Sequence, residues 1–267
     1  MPAKRLALVT VACGLCFAAT VAADSRMPSF TSASLVNAAT GQTVLAPYSI
    51  CSLYGTGLLL NGAVTATSHN EMPVSLAGVT VLFGTIPAGL FYVSPGQINL
   101  LVPNSLTPGS YSITVIRDGL ASQSVPVDLQ EVAPGLFASP PGFAVALHAD
   151  GRNVSESSPA VPGEVVVFYG TGLGRTDPDP ADREIASWAG MIVHFADFQF
   201  LVDDVAIGAG RVQYAGVAPS SAGLYQVNVR LPDNLPATNP EVRISVAGAM
   251  SPAGLRLITG PLAAAVP

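Results

Sequence analysis

The chain has 267 residues, of which 49% are hydrophobic and only 10% are charged, and its formal net charge is −6. Such an apolar composition excludes a disordered chain. Lys4 and Arg5 lie in the first 23 residues, so the rest has nine basic residues against 17 acidic ones, a net charge of −8. That balance excludes the basic footprint of a nucleic-acid-binding protein and argues against binding to anionic membrane surfaces.

Residues 1–23 predict a secretory signal peptide. A basic start is followed by an uncharged, mostly apolar stretch over 6–21, and Val21-Ala22-Ala23 is a small-residue cleavage site. The alternative is an uncleaved anchor, but the stretch is short for a membrane span. We therefore expect cleavage after Ala23, a secreted or cell-surface location, and no membrane span after cleavage.

The cysteines predict no disulfide. Cys13 and Cys16 have the spacing of a redox pair but lie in the signal peptide, so Cys51 remains alone in the mature chain. A lone cysteine cannot form an internal disulfide. We expect Cys51 to be a buried, inert thiol in a strand.

The sequence after the signal peptide contains an internal repeat. Two stretches and one pair of positions recur at an offset of 115 or 129, and Tyr92 recurs as Tyr214 at an offset of 122. The second copy therefore carries 14 additional residues, seven before Tyr214 and seven after it. A repeat of this length is a domain-sized unit rather than a solenoid period. The recurring stretches are 52–58 with 167–173, 97–103 with 226–232, and Gly119/Ser122 with Gly248/Ser251.

The periodicity along both copies is that of strands. Residues 111–115, 225–231 and 242–246 alternate apolar and polar side chains, which predicts strands with one face on a core. Clusters of glycine and proline such as 107–109 and 161–163 predict turns between the strands. Short strands separated by such turns predict an all-β protein of sandwich architecture.

The domain boundary is predicted at 133–137, before the stiff pair Pro140-Pro141. Each part is then close to the size of one immunoglobulin-like sandwich. We expect two tandem immunoglobulin-like β-sandwich domains related by internal duplication, over residues 24–137 and 138–267.

Six stretches of the sequence together match the pattern of a known family: LVNAA (35–39), YGTGL (54–58), YVSPGQIN (92–99), APGLF (133–137), YAGVAP (214–219) and GLYQVNV (223–229). In this combination they resemble the Solibacter-type C-terminal domain family of secreted bacterial proteins. The resemblance covers residues 33 to 258 and implies no catalytic residues that could be carried over. One departure is Asp203-Asp204, where a glycine-rich hairpin is expected.

Motifs for catalysis or cofactor binding are missing from the sequence. A dinucleotide fingerprint needs its third glycine and a helix start at position 175, where Arg175 stands instead, so the glycines of 170–174 favour a strand that ends in a tight turn. The mature chain has no lysine for phosphates or a Schiff base. His69, His148 and His194 are scattered over both copies, which leaves a spatially assembled triad open but does not support one. We therefore predict a chain that is not an enzyme.

The acidic stretch 177–184 is the candidate metal site. Asp177, Asp179, Asp182 and Glu184 could supply several oxygens to one calcium ion. No glycine provides the sharp turn of a calcium loop, and Arg183 is a competing counter-charge. A solvated acidic loop is the alternative, and calcium is the only cofactor that the sequence leaves open.

Two repeated amide pairs are the candidate ligand-binding residues. Gln97 and Asn99 lie on the polar side of one predicted strand, and Gln226 and Asn228 on that of its counterpart. They could form a polar face for sugar hydroxyls or for a partner's backbone. The simpler interpretation is structural, with amides that bond loop backbone, because both copies keep them.

Together these features predict a secreted or cell-surface, non-catalytic binding or assembly module. Its partner would be an extracellular protein or a glycan, and the low charge with high apolar content also favours self-association. The alternative function is a secreted hydrolase, or a hydrolase accessory, with a site between the two domains.

Overall fold

The computed structural model of the protein describes residues 27–139 and 142–260. The predicted signal peptide over 1–23 lies outside the described residues. Among the helices of the described part, none has the length and apolar character that crossing a membrane requires.

The protein is all-β, as its periodicity predicted, and its sheets are antiparallel as in a β-sandwich. Short 3₁₀ turns lie at Ser32–Ser34, Phe195–Asp197 and Ala209–Arg211. The strands are β1 (Leu35–Asn37), β2 (Ile50–Tyr54), β3 (Val64–Thr65), β4 (Val79–Phe83), β5 (Ile86–Pro87), β6 (Gly89–Val93), β7 (Gln97–Leu101), β8 (Gly109–Arg117), β9 (Leu120–Ala121), β10 (Val125–Leu129), β11 (Gly135–Leu136), β12 (Ala138–Ser139), β13 (Phe143–Ala144), β14 (Ala146–His148), β15 (Val165–Thr171), β16 (Thr176–Asp177), β17 (Met191–Ile192), β18 (Gln199–Val202), β19 (Val205–Ala206), β20 (Val212–Val217), β21 (Tyr225–Arg230), β22 (Val242–Val246) and β23 (Ala249–Met250).

The first half of the molecule, β1 to β10, forms two sheets. One has the order β1-β2-β7-β6-β3 and the other β10-β8-β4-β5, with β9 paired to β8. Leu53 and Ile98 of the first sheet join Val81 and Val115 of the second in one buried cluster. The inward-facing residues of these strands are the apolar members of the period-two pattern, because alternate side chains point to opposite faces of a strand.

The second half, β11 to β23, repeats this arrangement with a wider first sheet. Its order is β11-β15-β21-β20-β17-β16, with β14 also paired to β15, and the other sheet has the order β19-β18-β22-β23. Phe168 of β15 and Phe200 of β18 meet across the core with ring centroids 4.8 Å apart. The predicted first domain ends at residue 137, whereas β11 at Gly135–Leu136 already pairs with β15.

Strand pairing has the same register in both halves. Asn99 of β7 lies between Ser52 of β2 and Tyr92 of β6, and the register shifts by a bulge next to Tyr92. Asn228 of β21 lies between Val167 of β15 and Tyr214 of β20, with a bulge next to Tyr214. A bulge inserts one residue and bends the strand, so both sheets bend at the same place.

A buried serine makes the same hydrogen bond in both halves. The Val115 amide donates to Ser122 Oγ at 3.0 Å, and the Ile244 amide donates to Ser251 Oγ at 3.0 Å. The repeated serines therefore satisfy a backbone N–H in each second sheet, as buried polar groups require.

The two halves pack against each other through apolar side chains. Tyr48, Met72 and Leu101 of the first half belong to the buried cluster of the second. The rings of Tyr48 and Tyr225 are 6.4 Å apart in an edge-to-face arrangement. Gly223 is close enough that a Cβ there would lie 2.5 Å from Leu101 Cδ1. This contact explains the glycine, because any side chain would overlap the first half.

Two local predictions, and one turn whose residues depart from the expected glycines, can be compared directly with the structure. Cys51 is a free, buried thiol, and burial raises its pKa to about 12. The strand β15 ends in a turn in which Gly172 and Gly174 have φ of 77° and 86°. Both predictions are confirmed. Asp203 and Asp204, at φ 49° and 59°, turn the β18–β19 hairpin where a glycine-rich turn was expected, a conformation that aspartate tolerates.

Candidate functional site

The Gln-x-Asn pairs lie on the outward side of the central strands, and each pair is joined by its own side chains. Gln97 Nε2 donates to Asn99 Oδ1 at 2.8 Å, and Gln226 Nε2 donates to Asn228 Oδ1 at 2.8 Å. The expected bonds from these amides to loop backbone are not what the structure shows. The pairs link neighbours on one strand and do not fasten a loop.

Half of the hydrogen-bonding capacity of these amides is unused. Within the described residues, the Nδ2 groups of Asn99 and Asn228 and the Oε1 atoms of Gln97 and Gln226 have no hydrogen-bond partner. All four side chains are partly exposed. Each pair therefore has three unused N–H donors, two on the asparagine and one on the glutamine, and one unused carbonyl acceptor.

A tyrosine stands opposite each of these amides. Directly opposed residues of antiparallel strands have Cβ atoms about 4.5–5.5 Å apart, so amide and ring form one surface. We call this surface the tyrosine–amide face of each half. The register pairs are Tyr54 with Gln97 and Tyr92 with Asn99 in the first half, and Tyr169 with Gln226 and Tyr214 with Asn228 in the second.

The tyrosine hydroxyl groups differ in whether they form hydrogen bonds. Tyr214 is held in place, since its hydroxyl lies 2.7 Å from the Val217 carbonyl and 3.1 Å from that of Gly190, and burial raises its pKa. The hydroxyls of Tyr54, Tyr92 and Tyr169 have no hydrogen-bond partner within the described residues, and Tyr54 is 47% exposed. Three of the four rings therefore offer a free polar end beside the amides.

Sequence reasoning identified the amides but missed the tyrosines as their partners. All four tyrosines recur between the copies, Tyr54 as Tyr169 and Tyr92 as Tyr214, so the signal was present. The pairing of tyrosine with amide depends on strand register, which brings Tyr54 to Gln97 across 43 positions of the chain.

Three of the four candidate calcium ligands have separate partners. Asp179 accepts from Arg175 at 2.7 Å, Asp182 accepts from the Ser105 hydroxyl at 3.0 Å, and Glu184 accepts from the Ala181 amide at 2.9 Å. Asp177 is exposed at the end of the segment. Among residues 27–139 and 142–260, no group of three or more histidine, cysteine or acidic side chains is placed to hold a metal ion. We therefore propose no calcium site there.

The acidic stretch instead fastens the second half to the first. The Asn104 side-chain amide donates to the Pro180 carbonyl at 2.6 Å, and the Met72 backbone amide donates to the Arg183 carbonyl at 2.8 Å. The Tyr48 hydroxyl donates to the Glu184 carbonyl at 2.7 Å. Backbone carbonyls of the segment and the Asp182 carboxylate supply the acceptors between the halves, whereas Asp179 and Glu184 accept from groups near them in the chain.

One histidine cluster bears on the alternative of a hydrolase. His148 Nδ1 lies 3.0 Å from Glu164 Oε2, and its Nε2 lies 3.1 Å from Ser158 Oγ. These are the distances of a serine–histidine–carboxylate triad. His194 lies apart, with Nε2 2.8 Å from Glu131 of the other half.

The ring nitrogen that would act as a base in this cluster is already used. His148 Nε2 also lies 3.0 Å from the Ser158 carbonyl oxygen. A carbonyl can only accept, so the nitrogen that faces it carries its hydrogen, whereas a general base needs that nitrogen unprotonated. The arrangement fits a structural role, in which hydrogen bonds from His148 hold the loop before β15 against β14.

The comparisons with known proteins give distant likenesses. No family model matches the chain, and no curated protein matches it, so membership of the Solibacter-type family stays a prediction. A surface glycan-binding protein of Bacteroides ovatus, solved with a mixed-linkage heptasaccharide, is 12% identical over 82% of this chain and 43% of its own, with a TM-score of 0.31.

Two further solved structures are similar over most of this chain. A biofilm-associated protein is 13% identical over 80% of this chain and 28% of its own, with a TM-score of 0.23. The surface layer protein SbsC is 14% identical over 86% of this chain and 30% of its own, with a TM-score of 0.19. The chain spans less than half the length of each of these three structures, and TM-scores below 0.5 carry nothing over to it.

Proposed function

We propose that this protein is an extracellular or cell-surface binding module without catalytic activity, built from two immunoglobulin-like β-sandwiches that arose by duplication. The matched registers of β2-β7-β6 and β15-β21-β20, including the bulges beside Tyr92 and Tyr214, support the duplication. Sandwiches of this kind are rigid scaffolds for recognition.

The tyrosine–amide face carries the proposal. Both halves keep the same tyrosines and amides at the same register, and both leave the asparagine N–H donors unused. Amide donors and acceptors beside an aromatic ring fit a ligand that has hydroxyl groups and apolar faces, because the ring covers apolar surface while the amides satisfy the hydroxyls. A glycan has both features, and we propose a glycan as the ligand.

The hydrolase is the second candidate, and the Ser158–His148–Glu164 distances favour it. The contact of His148 Nε2 with a carbonyl counts against it. Purified protein should show no turnover of ester, glycoside, peptide or phosphate substrates. Turnover that disappears in a folded His148→Ala variant would replace binding by hydrolysis as the proposed function.

A polysaccharide array probed with the purified chain tests the binding proposal. We expect binding to at least one neutral polysaccharide, and we expect the double variant Tyr54→Ala/Tyr169→Ala to lose it without a change in melting temperature. Both rings are at least partly exposed, and their hydroxyls have no partner in the described part of the chain. Met250→Ala is the matched control, since Met250 is 45% exposed on the other sheet of the second half. Binding that survives the double variant would contradict the proposal.

A further inference from the structure

A mainly apolar groove lies between the two halves. We call it the inter-half groove; it encloses about 320 Å³. Its main walls are Ile50, Met72 and Phe91 of the first half and Ile185, Ala222 and Leu224 of the second. Ligand sites commonly lie in such clefts between domains and are lined mainly by apolar side chains.

Tight packing beneath the groove holds its walls in place. The Ile50 amide donates to Thr171 Oγ1 at 2.9 Å, and the same hydroxyl donates to the Gly223 carbonyl at 2.7 Å. A Cβ on Gly223 would lie 2.9 Å from Ile50 Cγ1 and 3.1 Å from the Tyr48 carbonyl oxygen, so the Gly223 backbone lies close against the first half. The groove is therefore preformed, and a ligand would not have to order it.

Each amide pair lies on a strand that leads to this junction. On β7, Asn99 precedes Leu101 by two positions, and Leu101 packs on Gly223 at the junction. On the other side, Gln226 follows Leu224 by two positions, with the buried Tyr225 between them. A two-residue step along a strand is about 7 Å. The amides of each half thus begin one such step from the junction.

The lining of the groove is uncharged and carries free hydroxyl groups. Among the described residues, none that lines the groove is acidic or basic. Ser68, Ser220 and Ser221 line it, and their side chains have no hydrogen-bond partner within the described residues. Burial of a charged ligand group in such a place would cost its desolvation without a counter-charge. The groove therefore selects against charged ligands.

A second cleft between the halves has a different character. Its volume is about 600 Å³, and the described residues that line it include the exposed carboxylates of Asp128 and Glu131 but no aromatic side chain. It lacks both the ring surface and the neutrality of the inter-half groove.

We infer that the inter-half groove is the central subsite for a single uncharged polysaccharide chain, which extends from the amides of the first half to those of the second. This inference rests on the proposed function and makes it more specific, because the two faces then form one site and not two. The apolar walls cover sugar ring faces, and the amides and serines at the ends and edges bind hydroxyls.

The experiment measures the binding of neutral oligosaccharides of increasing length, derived from the polysaccharide that binds best on the array. Calorimetry should give one ligand per protein chain, and the affinity should rise with length until both amide pairs are reached. Tyr54→Ala and Tyr169→Ala should each weaken the longest ligand. Acidic polysaccharides such as polygalacturonate should not bind.

The most decisive variant places a large side chain in the groove. Ala66 lines the groove, and its neighbour Thr67 is exposed and does not. Ala66→Trp should weaken the longest oligosaccharide roughly tenfold or more, which corresponds to about 1.4 kcal/mol, and Thr67→Trp should not. The melting temperature of each variant reports whether it is folded, and the stoichiometry of the unaltered protein tests the inference without any variant.

The outcomes separate the inference from the function on which it rests. Two ligands per chain, or unchanged affinity in a folded Ala66→Trp variant, would overturn the single site while leaving glycan binding intact. Binding of acidic polysaccharides in preference to neutral ones would overturn the neutral ligand. Absence of binding to every polysaccharide, or binding of a protein partner alone, would overturn the proposed function itself.

Discussion

The two halves have matching sheets, but only the second half has insertions, and these contact the first half. Strand order and register match around Asn99 and Asn228. The additional residues of the second half fall in the segment that leads from β16 to β17 and in the connection from β20 to β21. Both places touch the first half, through Pro180 on Asn104 and through Gly223 on Leu101. Sheet geometry is the shared element, and the insertions join one half to the other.

The outward faces also differ beneath the shared amides. In the first half, Asn99 Oδ1 accepts from both Gln97 and Ser52, whereas Val167 takes the place of Ser52 in the second half. The same amide pair is thus supported by an additional hydrogen bond in one half and by apolar contact in the other. Differences of this kind make the comparison testable.

The largest expected effect is at the junction, where Gly223→Ala should be compared with Gly62→Ala. Both glycines have positive φ, 69° and 73°, so both variants strain the backbone by about 1–2 kcal/mol. Only Gly223 faces atoms within 3 Å, and Gly62 faces nothing within 4 Å. Gly223→Ala should therefore lose about 1–3 kcal/mol more of the free energy of unfolding in urea. Equal losses would mean that the halves are loosely joined.

The next effect concerns the shared serines. Ser122→Ala and Ser251→Ala should each lower the free energy of unfolding by about 1–3 kcal/mol, because each leaves a buried backbone N–H without its acceptor. Ser110→Ala, an exposed serine of β8, is the control and should change little. If only one of the two buried serines matters, the halves do not share this element of their cores.

Replacing the equivalent asparagines should lower stability by different amounts in the two halves. Asn99→Ala removes the acceptor of Ser52, which is only 7% exposed, and should cost about 1–3 kcal/mol. Asn228→Ala breaks one hydrogen bond between partly exposed groups and should cost about 0.5 kcal/mol. Thermal unfolding of the two variants measures this difference. A larger loss for Asn228→Ala would show that its amide has a structural role that the hydrogen bonds do not reveal.

The smallest expected effect is on the pH dependence of stability, and it appears only at alkaline pH. Burial raises the pKa of Tyr48 and of Tyr225, which meet at the junction, above the value of about 10 of an exposed tyrosine. The stability that goes with a raised pKa is present below about pH 10 and is lost as the pH rises towards the folded-state value, since only the unfolded state then loses its proton.

Urea midpoints measured from about pH 8 to about pH 11 should therefore fall with pH. Tyr48→Phe should flatten that fall, and the same change at the exposed Tyr54 should leave it in place. A midpoint that stays constant over this range would contradict the burial of the two hydroxyls.

The amino-acid sequence by itself determined the all-β class, the repeated strands and the polar side on which Gln97 and Asn99 lie. These features follow from local patterns, since a period of two decides which side chains face a core. The turn after β15 and the burial of Cys51 were also predictable, because short-range apolar and glycine patterns specify them.

Tertiary structure alone decided which residues act together. Tyr54 meets Gln97 through strand register, Asp182 meets Ser105 across 77 positions, and Gly223 meets Leu101 at the junction. A run of carboxylates looks the same in sequence whether it binds a cation or fastens a loop, because the partners that decide the matter are far away in the chain. The inter-half groove has no sequence signal for the same reason: its walls come from both copies, and only their packing brings them together.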